Sequence, residues 1–236
     1  MRSLVIIACV ALAGCSLGYI DNESGGSSNL PTLGAGPFAK PQIDFDTPAE
    51  EPFVIVQNRV SLFEPTVLER DDGGFRLWFS RQEDDSDEVQ IWTGELPDIL
   101  ELPDTQFRAA LVADQSWEEG RVSAPSVVEL ADGRLFMLYE GGITAPGIGL
   151  AISTDGGANW QKSDANPVIP DAISPGLGDA RGRLLAVFLR PANDQEIFAA
   201  DSDDGASWEI RSESVIGTRV DDGDAFDQQS LSSPSL

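Results

Sequence analysis

The segments "SLFEPTVLERDDGGFRLWFS" at 61–80 and "RVSAPSVVELADGRLFMLYE" at 121–140 align without a gap. Proline falls on proline, Asp72-Gly73 on Asp132-Gly133, and the apolar residues that follow agree in position. A third copy, "DAISPGLGDARGRLLAVFL" at 171–189, is one residue shorter in its turn, and "SLSSPSL" at 230–236 begins a fourth. The prolines Pro65, Pro125, Pro175 and Pro234 stand sixty, fifty and fifty-nine residues apart. A repeat of this length constrains the fold strongly, because a single unit cannot bury its apolar face without a neighbour.

Within each copy the pattern is that of strands. "PSVVEL" and "RLFMLYE" are short β-prone runs joined by an Asp-Gly turn, "GIGLAIS" supplies a third strand, and a fourth is expected after Trp160 near "WQKS". A proline at a strand start costs little, since only a first-residue or edge donor is missing. Four antiparallel strands per unit, repeated, predict an all-β chain: a β-propeller of four-stranded antiparallel blades, with three blades and the first strand of another. A β-helix needs shorter coils, and a sandwich gives no reason for the repeat. An open propeller would leave apolar faces and strand edges in water. The stop at "SSPSL", midway through a unit, therefore predicts a fragment of a longer reading frame.

The hairpin after the third strand carries a second repeated pattern. "STDGGANW" at 153–160 resembles the Asp-box of sialidase-like and related propellers: Ser or Thr, any, Asp, any, Gly, any, any, aromatic. Ser153 and Asp155 are expected to hold the turn amides, Gly157 to take positive φ, and Trp160 to fold back onto apolar surface. In "DSDDGASW" at 201–208 the same roles are expected of Asp203, Gly205 and Trp208, with Asp201 standing where the first copy has Ser153. None of these roles needs a substrate. "VQIWTGELPDIL" at 89–100 lacks the pattern.

The chain has no histidine, so the commonest general base and metal ligand is missing and any catalysis must run on carboxylates. Forty acidic against fifteen basic residues give a net charge of −25, which repels nucleic acid. Cys9 and Cys15 are the only cysteines, so neither a disulfide framework nor a thiolate metal site is expected in the folded part, and no cofactor is called for. The acidic runs at 83–88 and 221–227 lack the spacing of a calcium loop and read as solvated loops. At the start, "MRSLVIIACVALAGC" sets one Arg before a short apolar run, the layout of an export signal. Its "LAGC" end resembles the lipobox of bacterial lipoproteins. That resemblance implies a signal peptide at 1–14, a lipidated Cys15 and a membrane-anchored, exported protein at the outer membrane or cell surface; the other reading is an ordinary signal. Residues 15–45, rich in Gly, Ser and Pro, read as a tether, and 46–236 as the propeller.

Taken together, "SAPSVVELADGRLFMLYEGG", "GIGLAISTDGGANW" and "NPVIP" resemble the five-bladed propeller clan of arabinanases, levansucrases and invertases. The resemblance implies five blades when complete, action on carbohydrate, and carboxylates around a central funnel. Two of them would straddle the scissile bond, about 5 to 5.5 Å apart for retention or about 6.5 to 9.5 Å for inversion. Such acids commonly precede the inner-strand proline; here those positions hold Glu64, Ala124, Ser174 and Ser233. Glu64 is thus the first catalytic candidate, against a solvated residue at a strand entrance. Glu140 ends a second strand where Ser80 and Leu189 stand in the other copies, and is a second candidate against an exposed strand end. Arg81 and Arg190 end equivalent strands and are candidates for binding sugar hydroxyls or an acidic substrate, or else mark a solvated rim. Asp179 reads as a turn former. The resulting expectation is a surface-anchored glycoside hydrolase, with a non-catalytic propeller that binds glycan or protein as the alternative. An exo-sialidase is disfavoured, because its tyrosine and arginine triad find few counterparts in a chain whose tyrosines are Tyr19 and Tyr139.

Overall fold

The computed structural model describes residues 60–97, 107–180 and 182–217, with Pro234 and Leu236. Cys15, expected to be lipidated, the expected tether at 15–45 and the acidic run at 221–227 lie outside the described residues.

Each repeat folds as one antiparallel sheet. The first comprises β1 (Val60–Glu69), β2 (Phe75–Glu83), β3 (Val89–Leu96) and β4 (Arg108–Leu111), paired in that order. The second comprises β5 (Val122–Glu129), β6 (Leu135–Gly141), β7 (Gly147–Ser153) and β8 (Gln161–Lys162), with β9 (Ile169–Pro170) also on β7. The third comprises β10 (Ile173–Ala180), β11 (Arg183–Arg190), β12 (Asn193–Ser202) and β13 (Glu209–Ile210), with β14 (Ile216–Gly217) also on β12. A short 3-10 helix, Ser116–Glu118, links the first two sheets.

The fourth strand after Trp160 departs from expectation, being split into β8 and β9. Between the two pieces the side chain of Asn166 bonds the β7 backbone at Leu150, whose carbonyl also takes the Ser163 amide at 2.9 Å. Asn166 Oδ1 accepts from Leu150 N at 2.8 Å, and Asn166 Nδ2 donates to Leu150 O at 3.1 Å.

Strand alternation explains how the sheets stack. On β6, Leu135, Met137 and Tyr139 point toward the first sheet and meet Trp78 and Ile91. The intervening Phe136 and Leu138 point toward the third sheet and meet Leu177, Leu184, Ala186 and Phe188. Each interior sheet is therefore apolar on both faces, which is why "RLFMLYE" reads as a continuous apolar run. β1 packs beside β5 and β5 beside β10, so the first strands line the inner side of the stack. The chain is an all-β propeller with three four-stranded blades among its described residues. Pro234 and Leu236, from the fourth copy, lie against β10. A Cβ on Gly176 would come within 2.6 Å of the Pro234 carbonyl oxygen, so only glycine allows that approach.

Candidate functional site

The first strand of every blade breaks register at its proline: between Phe63 and Thr66, between Ser123 and Ser126, and between Ile173 and Gly176. The residue before each proline is left-handed, with φ of 53° at Glu64, 49° at Ala124 and 52° at Ser174. Following proline steers a residue out of the right-handed region, and a bulge at the same place re-aims its side chain. Left-handed backbone at a residue other than glycine costs on the order of 1–3 kcal/mol. Three equivalent instances mark this as a designed feature of the blade.

The strained amides are held from the preceding blade. Ala124 N donates to Ser80 Oγ on β2 at 2.9 Å, and Ser174 N donates to Glu140 Oε2 on β6 at 3.0 Å. Ser80 and Glu140 occupy the same place in their blades, so a hydroxyl and a carboxylate serve one clasp. Ser80, with no exposed surface, also donates its hydroxyl to Glu64 Oε2 at 3.1 Å. Glu140 is 14% exposed at its side chain and lies 3.9 Å from Arg121 Nε, which itself donates to Ser123 Oγ at 3.3 Å.

Burial pushes the Glu64 carboxyl above the usual carboxylate range, and the charge of Glu140 pushes the same way. The Ser80 hydroxyl, the Ala124 amide and the Arg121 guanidinium pull back, in that order, without cancelling the rise. The structure therefore brings Glu64, Ser80, Arg121 and Glu140 together at one end of the inner strands. A carboxyl raised above its usual range beside a second carboxylate is suited to deliver a proton to a leaving-group oxygen.

Arg81 and Arg190 are not part of this cluster. Arg81 projects from the opposite face of β2 to Ser80, lies 4.1 Å over the Trp92 ring and donates to Glu83 at 2.9 Å. Arg190 covers Phe198 at 5.0 Å and meets Asp171 Oδ2 at 3.3 Å. Asp179 accepts from Gly182 N at 2.9 Å across the β10–β11 turn.

The aspartate hairpins sit at the other end of the blades from Glu64, since Ser153 pairs with Leu135 and Glu140 with Ile148. In the first hairpin Ser153 Oγ accepts from Gly157 N and donates to Asp155 Oδ1, both at 2.8 Å. Asp155 also accepts from Asn159 N at 2.9 Å and Asn159 Nδ2 at 2.7 Å. The Asn159 side chain, the Asn159 amide and the Ser153 hydroxyl lower its carboxyl to about 2. Trp160 packs edge-on to Trp78 at 6.1 Å.

The second hairpin corrects the expected register. The serine position is filled by Ser202, not Asp201, and the acceptor is Asp204, not Asp203. Asp204 Oδ1 accepts from Ser207 N at 2.8 Å and Ala206 N at 2.9 Å, while Ser202 Oγ accepts from Gly205 N at 2.8 Å. Alternation decides this: Ser202 points inward at 2% exposure, as Ser153 does, while Asp201 points away to pair with Arg183 at 2.5 Å. Asp203 meets Arg183 at 3.1 Å, and Gly205 and Trp208 keep their expected places, with Trp208 Nε1 donating to Gly205 O at 2.7 Å.

Sequence reasoning missed a second polar cluster. Glu118, with no exposed surface, accepts from Tyr139 Oη at 2.8 Å and pairs with Lys162 Nζ at 2.6 Å. Lys162 also meets Asp114 at 2.6 Å and the Val112 carbonyl at 2.7 Å. Burial and then the charge of Glu118 drive the Tyr139 phenol far above its usual range, so it serves as a neutral donor. The cluster ties the linker between the first two blades to β8. An open groove of about 510 Å³ beside it is lined by Gln115, Trp160 and Lys162, away from Glu64. The one available signal was that Lys162 is the only lysine within 46–236.

No family model and no curated protein matches the chain. Solved structures do match. Zg3597, a family 117 glycoside hydrolase of the marine bacterium Zobellia galactanivorans, superposes with a TM-score of 0.55 at 18% identity, over 67% of this chain and 48% of its own. The likeness is one of fold, a β-propeller. The Hadza microbial sialidase Hz136 gives 0.55 at 14% identity, over 67% of this chain and 34% of its own. A thermostable family-43 glycoside hydrolase gives 0.51 at 14% identity, over 68% of this chain and 57% of its own. The chain thus spans between 34% and 57% of the length of these proteins. At such identities the likeness concerns the fold, and chemistry must be argued from the side chains.

Proposed function

We propose that this propeller is a glycoside hydrolase, with Glu64 as proton donor to the leaving sugar oxygen, its carboxyl raised by burial and by the neighbouring charge of Glu140. The observation that carries this reading is the Glu64 carboxyl: half-buried at a strained bulge, raised above the usual carboxylate range, and facing a second carboxylate and an arginine. The lipobox-like "LAGC" supports export and anchoring through Cys15, which would present the propeller to carbohydrate outside the cell.

Turnover on a panel of neutral oligosaccharides tests the assignment. Glu64→Gln should lower kcat by about 10²- to 10⁴-fold, the usual contribution of a positioned acid, with the fold intact. Undiminished turnover removes Glu64 from the mechanism. A second reading, a propeller that binds glycan without cleaving it, is favoured by Ala124 and Ser174, which fill the two other equivalent bulges with side chains that cannot act as acids. It predicts sugar binding without turnover on any member of the panel.

A further inference from the structure

We propose that Ser80 is the positioning residue of Glu64, a one-way hydrogen-bond relay that passes the rigidity of the second blade to the carboxyl of the first. Only the description of Glu64 as catalytic rests on the reading above; the relay itself stands on geometry. A hydroxyl has one proton and accepts through its lone pairs. The Ala124 amide is a pure donor, and it occupies a lone pair of Ser80 Oγ at 2.9 Å. Glu64 Oε2 lies 3.1 Å from the same oxygen, and Ser80 has no exposed surface through which water could compete. The hydroxyl proton is thereby directed at Glu64. Both ends of the relay are left-handed residues before a proline, one in each blade, so the bond also fixes how the two bulges stand to one another. In the next blade the equivalent clasp is made by Glu140, whose Oε2 takes the Ser174 amide where Ser80 offers a hydroxyl. In the third blade the position holds Leu189. The relay is thus specific to the one blade whose bulge carries an acid.

The charged groups that face Glu64 are Glu140 and Arg121. A titration of the Glu64 carboxyl carbon by NMR, in the full chain, separates positioning from plain packing. Ser80→Ala removes the donor to the carboxylate, and the Glu64 midpoint should move up by about one pH unit, the size expected for one hydrogen bond to a charged group. Ser80→Thr keeps the hydroxyl and should restore the midpoint. Should the alanine variant not fold, Ser80→Cys carries the same test, because the thiol is a weaker donor and should give a smaller upward move. An unchanged midpoint in the folded alanine or cysteine variant overturns the relay, whatever happens to stability. The titration involves no turnover, so a relay can stand where the glycosidase reading fails, and the reverse.

Discussion

Glu64 combines a left-handed backbone, set just before a proline, with a carboxyl that burial and the charge of Glu140 raise above the usual carboxylate range against the pull of the Ser80 hydroxyl. Because its folded pKa is raised, the protonated form contributes stability below the ordinary carboxylate value, and that contribution is lost as pH rises through the folded pKa. Denaturant titrations should therefore show Glu64→Gln gaining stability relative to the native protein between pH 4 and pH 8; an equal difference at both would contradict the burial described. Gly157 offers a second test at this scale. Its φ is 83°, and a Cβ would lie 2.9 Å from both Arg76 Nη1 and Trp78 Cζ2. Gly157→Ala should cost roughly 1–3 kcal/mol in chemical denaturation. Gly156→Ala, at a φ of 67° but with open space around it, should cost less. The acid at position 64 was legible in the sequence because the proline repeat marked its place. Ser80 was not, because its hydroxyl is oriented by the Ala124 amide of the next blade, and Arg121 was not, because it reaches Glu64 from the second blade.

At the level of elements, the hairpins and the linker carry different duties. The aspartate turns close the blade at the end far from Glu64, and their aspartates read as structural from the sequence because the turn they hold needs no substrate. The second hairpin was misread by one residue, since "DSDD" offers two acids and only the inward-pointing Ser202 settles the register. The splitting of the outer strand was equally hidden, because between its two pieces an asparagine side chain bonds the β7 backbone. The linker cluster depends on a buried ion pair, whose loss of one partner should be severe. Lys162→Met leaves Glu118 charged and unpaired and should cost about 3–5 kcal/mol in urea unfolding. Adding Glu118→Gln should recover most of that loss, and a double variant as unstable as the single one would show that the pair is not the interaction that matters.

At the scale of the whole molecule, the repeat fixed the architecture: three sheets, each apolar on both faces where it is sandwiched, stacked so that the first strands run side by side. That was legible because blade stacking imposes the same burial on every copy. Which ligand the proposed site would take was not, since it depends on side chains from several blades. The net charge of −25 does constrain it. Sulfated or uronate oligosaccharides should associate more slowly than neutral ones of equal length, and their association should quicken as salt is raised, measured by stopped-flow fluorescence of the tryptophans. Equal rates at low salt would mean that the charge does not act at the mouth. The central claim, that carbohydrate is acted on at the Glu64 end of the inner strands, is tested most directly by a crystal structure of Glu64→Gln with a bound neutral oligosaccharide. A glycosidic oxygen within about 2.6–3.2 Å of the residue 64 side chain is the predicted result. A sugar seated instead in the groove lined by Trp160 and Lys162, with the Glu64 end empty, would contradict it.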